Sequence, residues 1–410
     1  MNFSYLTLSL LAAATLLAET QDVSMHRTSQ QSKPANPQGK QCCVPCTTQE
    51  CLGRGEPLNC CGPAYNAPAT IDVSRKTLKC CPIDFTTFFD VSFTYWFAGE
   101  DGLSLASSGA LSAGTAFLPQ NMETLFQSFN YRPGFKVGLG ATLGHEWTVG
   151  AEYTWFRGKN HTDSPVFSGT IPTAGTSAAL SGSQVWVIGD WFLQGTATGE
   201  SLSGSQVSSC WELSLDLIDL LASRPFYQAR RLILSPFGGL EGAFIRQWMN
   251  VRLTQSPTLF GVDTPAQPIR SHNHSNSWAI GPKLGLGIEY LLPLEMRIES
   301  SLAGALLYTT YHVTHEEDAA STGFNPGPYT ASYSLYRTLR PAAELGLGVG
   351  WGAYFFDCDF HLDFSADYEF MIFWSQNMMR KLLDDTLYGT GGGTSDLFFH
   401  GLTLKARFDF

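Results

Sequence analysis

GLTLKARFDF, residues 401–410, alternates without a break. Laid out as an extended chain, Leu402, Leu404, Ala406, Phe408 and Phe410 point one way, and Thr403, Lys405, Arg407 and Asp409 the other. A period of two belongs to a strand whose faces meet different surroundings. One face is wholly apolar; the other carries three charges in four positions. A soluble edge strand can alternate, yet it rarely sets so many polar and charged side chains opposite aromatics at its final and antepenultimate positions.

The same dyad recurs upstream. Phe135, Val137, Leu139, Ala141 and Leu143 alternate with Lys136, Gly138, Gly140 and Thr142. The run from Trp147 to Trp155 places Glu152 on its polar face, and Trp211, Leu213, Leu215 and Leu217 alternate with Glu212, Ser214 and Asp216. Ile280 to Tyr290 sets Lys283, Gly285, Gly287 and Glu289 opposite its apolar residues, and Leu294, Met296 and Ile298 oppose Glu295, Arg297 and Glu299. Phe360 to Phe370 sets His361, Asp363, Ser365, Asp367 and Glu369 against aromatics and leucine. Charges avoid the apolar face in all these runs, as they must where that face meets hydrocarbon.

Composition agrees. Charged residues make up 15% of the 410, aromatics 13%, and there are 40 glycines. Few charges, many aromatics and near-neutral mean hydropathy describe a sheet apolar on one face and polar on the other, because alternation averages out. The net charge of −11 and the lack of a Lys/Arg cluster argue against a nucleic-acid partner. No stretch after the first twenty residues reaches ~18 uninterrupted apolar residues, so a membrane-embedded chain must close a barrel, the other spanning structure that pairs every backbone group.

The N-terminal part divides into three. MNFSYLTLSLLAAATLLA (1–18) reads as a secretory signal, with an apolar stretch from Leu6 to Leu17 and a small residue, Ala18, at the cut. Residues 19–41 are polar and non-periodic, a flexible tether. Residues 42–84 form a cysteine-rich segment, expected in the periplasm, and hold Cys42, Cys43, Cys46, Cys51, Cys60, Cys61, Cys80 and Cys81. Four-thiolate zinc ligation is one reading of these cysteines. Adjacent Cys-Cys pairs suit it poorly, and an exported chain meets an oxidising compartment, so disulfides are expected, with connectivity open.

Residues 85–410 are expected to form an all-β antiparallel transmembrane barrel. Short connections after Leu143, Leu220, Tyr290 and Gly350 alternate with long polar ones after Phe97, Phe156, Asn250, Tyr311 and Phe373. That is the asymmetry of periplasmic turns and outer loops. The count is ten strands, beginning near 85, 133, 146, 209, 230, 278, 294, 332, 354 and 397. A further hairpin around Ser183–Phe192 (SQVWVIGDWF) makes twelve possible. Trp96, Trp155, Tyr308, Trp351 and Trp374, near run ends, would form interfacial girdles.

With these runs in hand, the chain resembles the pore-forming major outer-membrane-protein-like barrels of legionellae and the environmental relatives of chlamydiae. The resemblance rests on FTYWFAGEDGL (93–103), RPGFKVGLGATL (132–143), EYTWF (152–156), LSPFGGLEGAFI (234–245), SWAIGPKLGLGIEY (277–290), SLAGALLY (301–308), TLRPAAELGLGVGW (338–351), YEFMIFWSQNM (368–378) and GLTLKARFDF, in that order. It implies a pore in the bacterial outer membrane. Resemblance to such barrels as a class also makes Phe408 and Phe410 the signal that the last strand shows to the insertion machinery. Analogy with chlamydia-like envelopes allows disulfides between neighbouring molecules. The cysteine segment itself lies outside the resemblance.

The function expected is passive diffusion of small polar solutes and ions, with a structural or adhesive barrel displaying its loops as the alternative. Lys136, Gly138, Glu152, Lys283, Gly287, Glu289, Glu344, Gly348, Asp363, Asp367, Lys405 and Arg407 are the candidate pore-lining residues, and Glu212 and Asp216 share their expected inward phase. The inward glycines are expected to leave room, and the interior to be wet. GLGVGWG (346–352) superficially resembles a phosphate loop but lacks the following helix and Lys-Ser/Thr. His272, His274, His312 and His315 have near-ligand spacing without a third ligand, so no metal is expected. No cofactor is implied, no nucleophile, base and orienter assemble, and an enzyme is not expected. Partners would be outer-membrane lipid, the insertion machinery, and neighbouring copies.

Overall fold

The computed structural model describes residues 86–111, 119–143, 147–167, 184–188, 191–193, 202–229, 231–254, 268–318, 328–355, 360–389 and 393–410. The signal, tether and cysteine-rich segment, with all eight of its cysteines, lie outside these residues, as does Cys358.

Among the described residues, fifteen strands and one helix follow in chain order. The strands are β1 (Thr86–Glu100), β2 (Ser104–Leu111), β3 (Pro119–Phe126), β4 (Tyr131–Leu143), β5 (Trp147–Asp163), β6 (Gln184–Ile188), β7 (Leu202–Gly204) and β8 (Gln206–Ser223). Next come β9 (Phe226–Ala229), β10 (Leu232–Thr254), β11 (Ile269–Leu291), β12 (Met296–Glu317), β13 (Tyr329–Phe355) and β14 (Phe360–Phe373). Helix α1 (Met378–Tyr388) precedes β15 (Leu397–Asp409).

Ten strands make a closed antiparallel wall in the order β1-β4-β5-β8-β10-β11-β12-β13-β14-β15, and β15 returns to β1. The seam is shut to its end: Thr87 N donates to Phe410 O at 3.1 Å, and Phe410 N to Thr87 O at 3.0 Å. Closure pairs each strand on both sides, which a sheet in hydrocarbon requires. The expected ten strands are therefore present. The described part of the 183–192 segment adds no hairpin to the wall: β6 instead joins β2, β3 and β7 in a separate four-stranded sheet.

The outward phase is apolar in a continuous belt. Leu139, Leu284, Leu302 and Leu347 are 59 to 70% exposed, and the same phase carries Phe89, Phe93, Leu220, Leu240, Phe364 and Leu404. So much exposed hydrocarbon around a closed wall has one suitable solvent, the acyl chains of a bilayer. Aromatics mark both rims. Trp147, Tyr290 and Trp351 stand toward the short-turn end, and Tyr95, Trp278 and Tyr308 toward the long-loop end. Trp155, Tyr308 and Trp351 face outward, but Trp96 does not. It is 1% exposed, turned into the lumen with its indole N–H donating to Thr403 Oγ1 at 3.1 Å.

The short turns follow from local geometry. Leu294 and Glu295 take consecutive positive φ values of 65° and 60°, the conformation whose twist matches a two-residue hairpin, so β12 starts at Met296. No turn lies at Gly350 as expected, because β13 runs on to Phe355. Strand lengths are unequal. β10, β11, β12 and β13 have 22 to 27 residues, whereas β1, β4, β14 and β15 have 13 to 15. About 9–11 residues cross a bilayer, so the longer strands rise beyond the belt at the long-loop end.

Candidate functional site: the barrel lumen

The inward phase divides into two zones stacked along the axis. Toward the short-turn end it is charged; toward the long-loop end it is mainly apolar, with hydrogen-bonded polar groups such as Gln247–Glu100 and Asn273–His315 buried among the hydrocarbon.

In the charged zone each cation is paired with at least one carboxylate. Lys283 Nζ lies 2.8 Å from Glu344, 3.1 Å from Asp219 and 3.1 Å from Glu241, with its side chain only 4% exposed. These residues come from β11, β13, β8 and β10, so the lysine ties four strands together. The three carboxylates lie close enough to hold a cation, and Lys283 supplies one. Lys136 Nζ is 3.0 Å from Glu369 and 3.8 Å from Glu152. Arg297 reaches Glu299 at 2.7 Å, Glu289 at 3.9 Å and both oxygens of Asp363. Lys405 lies 3.3 Å from Asp90, and Arg407 bonds Asp409 at 2.7 Å while covering the Phe88 ring. Buried charges are tolerated only in such mutual company. Beside them is a cavity of about 310 Å³, lined by Gly287, Glu289, Arg297, Asp363, Asp367 and Lys405 among others.

All twelve sequence candidates lie in this zone. The glycines do something other than leave space. A Cβ on Gly138 would collide with the Asp90 carboxylate, and one on Gly348 with Asp367 and, at 2.6 Å, with the Ala366 carbonyl. They let a neighbour's carboxylate cross the strand. Gly287 differs, since its Cβ would meet only Ser235, at 3.5 Å. Asp219, Glu241 and Arg297 were not among the candidates. Arg297 and Glu299 did sit on a polar face, and Glu241 alternates with Leu240, so a signal for them existed. Asp219 lies in LDLIDLL, where leucines occupy both phases and mask it.

That segment also carries a correction. Trp211, Leu213, Leu215 and Leu217 point into the barrel and are at most 2% exposed, while Glu212 and Asp216 point outward. The lipid-facing apolar residues of β8 are instead Ile218 and Leu220. The phase is constant along the strand; what changes is the environment. Its lower half has lipid outside and charge inside, and its upper half has water outside and a core inside.

That core is the second zone, and it corrects the expectation of a wet interior. Phe156, Trp211, Leu215, Met249, Leu253, Val313 and Phe399 are essentially inaccessible and pack with residues that are not wall: Leu103, Leu105, Trp191, Phe192, Met378, Met379, Leu382 and Leu383. Burying each such side chain is worth roughly 1.5–3 kcal/mol. α1 starts at an N-cap, Asn377, whose side chain accepts from Arg380 N at 3.1 Å, and stops at Gly389, with φ 87°. Ion pairs Arg380–Asp384 and Lys381–Asp385, four residues apart, brace its polar side. Just before the helix, Gln376 bonds the inward Tyr311 at 2.9 Å and Ser277 at 2.9 Å. Asn377 Nδ2 donates to Asp101 O at 3.0 Å. In that turn, burial and then the Asp396 carboxylate raise the Asp101 carboxyl above its ordinary range. The upper lumen is thus occupied by chain inserted from the long connections, and a β-bulge at Leu335 (φ 79°) turns both Tyr333 and Tyr336 toward it.

A family model described as Legionella pneumophila major outer membrane protein precursor matches residues 88–410. No curated protein matches the chain. Among solved structures the chain is similar to a FadL homologue of Pseudomonas aeruginosa, with 8% identity over 80% of this chain and 90% of that one and a TM-score of 0.21. It is also similar to the Pseudomonas putida toluene transporter TodX (7%, 81% and 91%, 0.19) and to OmpT of Vibrio cholerae (8%, 80% and 99%, 0.14).

Proposed function

The chain belongs to the Legionella major outer membrane protein family, and on that premise we propose that it is a gated diffusion pore for small polar solutes and ions. The observation that carries this reading is the charged lower lumen. A barrel needed only as scaffold is better filled with hydrocarbon, as much of its own upper half is, than with buried Lys283 and its three carboxylates. A polar path through a bilayer needs such a lining. Opening requires displacement of inserted chain, α1 and its flanks, and none of the ten wall ladders includes α1. Lys136, Lys283 and Arg297 each face two or more carboxylates, so passage favours cations. In this reading the short turns and the N-terminal segment lie in the periplasm, and no residue performs covalent chemistry.

The test is single-channel recording of the purified full chain in a planar bilayer. Brief cation-preferring steps are expected, becoming long-lived when residues 378–388 are replaced by a short Gly/Ser linker. The apolar upper core supports a second reading, a permanently plugged barrel that displays its loops. A folded, inserted protein silent in both forms would establish that one instead.

A further inference from the structure

The outward phase changes character abruptly at the long-loop rim of the lipid belt. On β5 it passes from Tyr153 and Trp155 to Arg157 and Lys159; on β8 from Ile218 to Asp216; on β10 from Phe244 to Arg246. Arg157, Lys159, Arg246 and Arg132 border one open pocket of about 470 Å³, with Glu212 and Trp248 on its wall. Four cations gather there against two carboxylates. Arg157 and Arg246 share Asp216, at 2.9 and 3.4 Å, and Lys159 holds Glu212 at 2.6 Å. Arg132 has no carboxylate partner among the described residues. One of its nitrogens donates to the Lys159 carbonyl at 2.5 Å, and its Nε is buried without a partner. The Arg157 guanidinium lies over the Trp155 ring, 4.9 Å from its centre, which holds it at the rim.

We propose that this pocket binds the phosphorylated headgroup of an outer-leaflet lipid whose acyl chains lie on the belt below. The height is right for a headgroup, the uncompensated charge calls for an anion, and the exposed Leu220, Leu240 and Phe244 beneath offer an apolar seat for the chains. Guanidinium groups suit phosphate, because their planar forks can engage two oxygens at once. The site is on the outside of the wall and independent of what passes through the lumen. It rests only on the long loops facing the cell exterior.

Native mass spectrometry of the full-length barrel in mild detergent tests it, with bisphosphorylated lipid A and chemically dephosphorylated lipid A of the same acyl chains as probes. The phosphorylated form is expected to stay bound and the dephosphorylated form to dissociate. The double variant Arg132→Gln/Arg246→Gln leaves the Arg157–Asp216 pair in place and should bind about 30-fold more weakly, from two lost surface charges. Arg252→Gln, on the same outward face but outside the pocket, should bind normally. Heat-modifiable gel migration verifies that each variant is folded. Equal retention of both lipids, or unchanged binding by the double variant, overturns the proposal whatever the conductance.

Discussion

Lys283 decides the charged zone. Its ammonium is the shared counterion of Asp219, Glu241 and Glu344, and removing it leaves three carboxylates facing one another with little water. Lys283→Met should destabilise the barrel by about 3–5 kcal/mol, read as a shift of the urea midpoint followed by tryptophan fluorescence in detergent. Lysine-like stability of the methionine variant would mean that water, not the lysine, screens these groups. The glycines separate in the same way. Gly287→Trp should insert normally and reduce conductance, because its Cβ is in ordinary contact with Ser235 alone and its ring has the adjoining cavity to enter. Gly348→Trp should instead lower the yield of folded barrel, because Asp367 and the Ala366 carbonyl already occupy that place. Alternation alone made these two positions look equivalent. Only the cross-strand register distinguishes them.

At the level of elements, α1 is the part most open to adjustment. Asn377→Ala removes the N-cap and the bond to Asp101 O, and loss of a cap costs about 1 kcal/mol. Channel openings should become several-fold more frequent, with unchanged step size. The Asp101 carboxyl is raised in the closed form, so closing takes up a proton relative to a displaced, solvated segment. Closure is therefore favoured at pH below that raised value and loses this contribution as pH rises through it. Open probability should fall on acidification, and Asp101→Asn should flatten the dependence; a pH series of recordings checks both. β15 carries a different expectation. Phe410 is half exposed to lipid, stacks 5.8 Å from Phe408, and closes the seam with Thr87. Phe410→Ser should lower the amount recovered in the outer membrane while export continues, as measured by fractionation and blotting.

The whole molecule has a direction across the membrane, and it can be read from outside. In a Cys210→Ser background, Arg252→Cys at the long-loop end should react with a membrane-impermeant maleimide on intact cells. Leu294→Cys in the short turn should react only after lysis, and the reverse pattern would invert the barrel. At this scale the sequence by itself determined the wall. Hydrocarbon outside a closed sheet forces strict period-two alternation, so GLTLKARFDF and its counterparts disclosed strand number, approximate starts, and the alternation of short and long connections. It also placed Lys136, Lys283, Asp363 and Lys405 on the inward phase, because no other phase could hold them. The interior above them was decided by tertiary structure alone. Trp211, Leu213, Leu215 and Leu217 are as apolar as any lipid-facing run, and periodicity cannot tell whether an apolar face meets acyl chains or an inserted core. MMRKLLDDTLY looked like one more polar connection, because a helix of eleven residues gains its stability from the cavity that receives it. Alternation reports that two faces differ; which of them is inside depends on what the rest of the chain puts there.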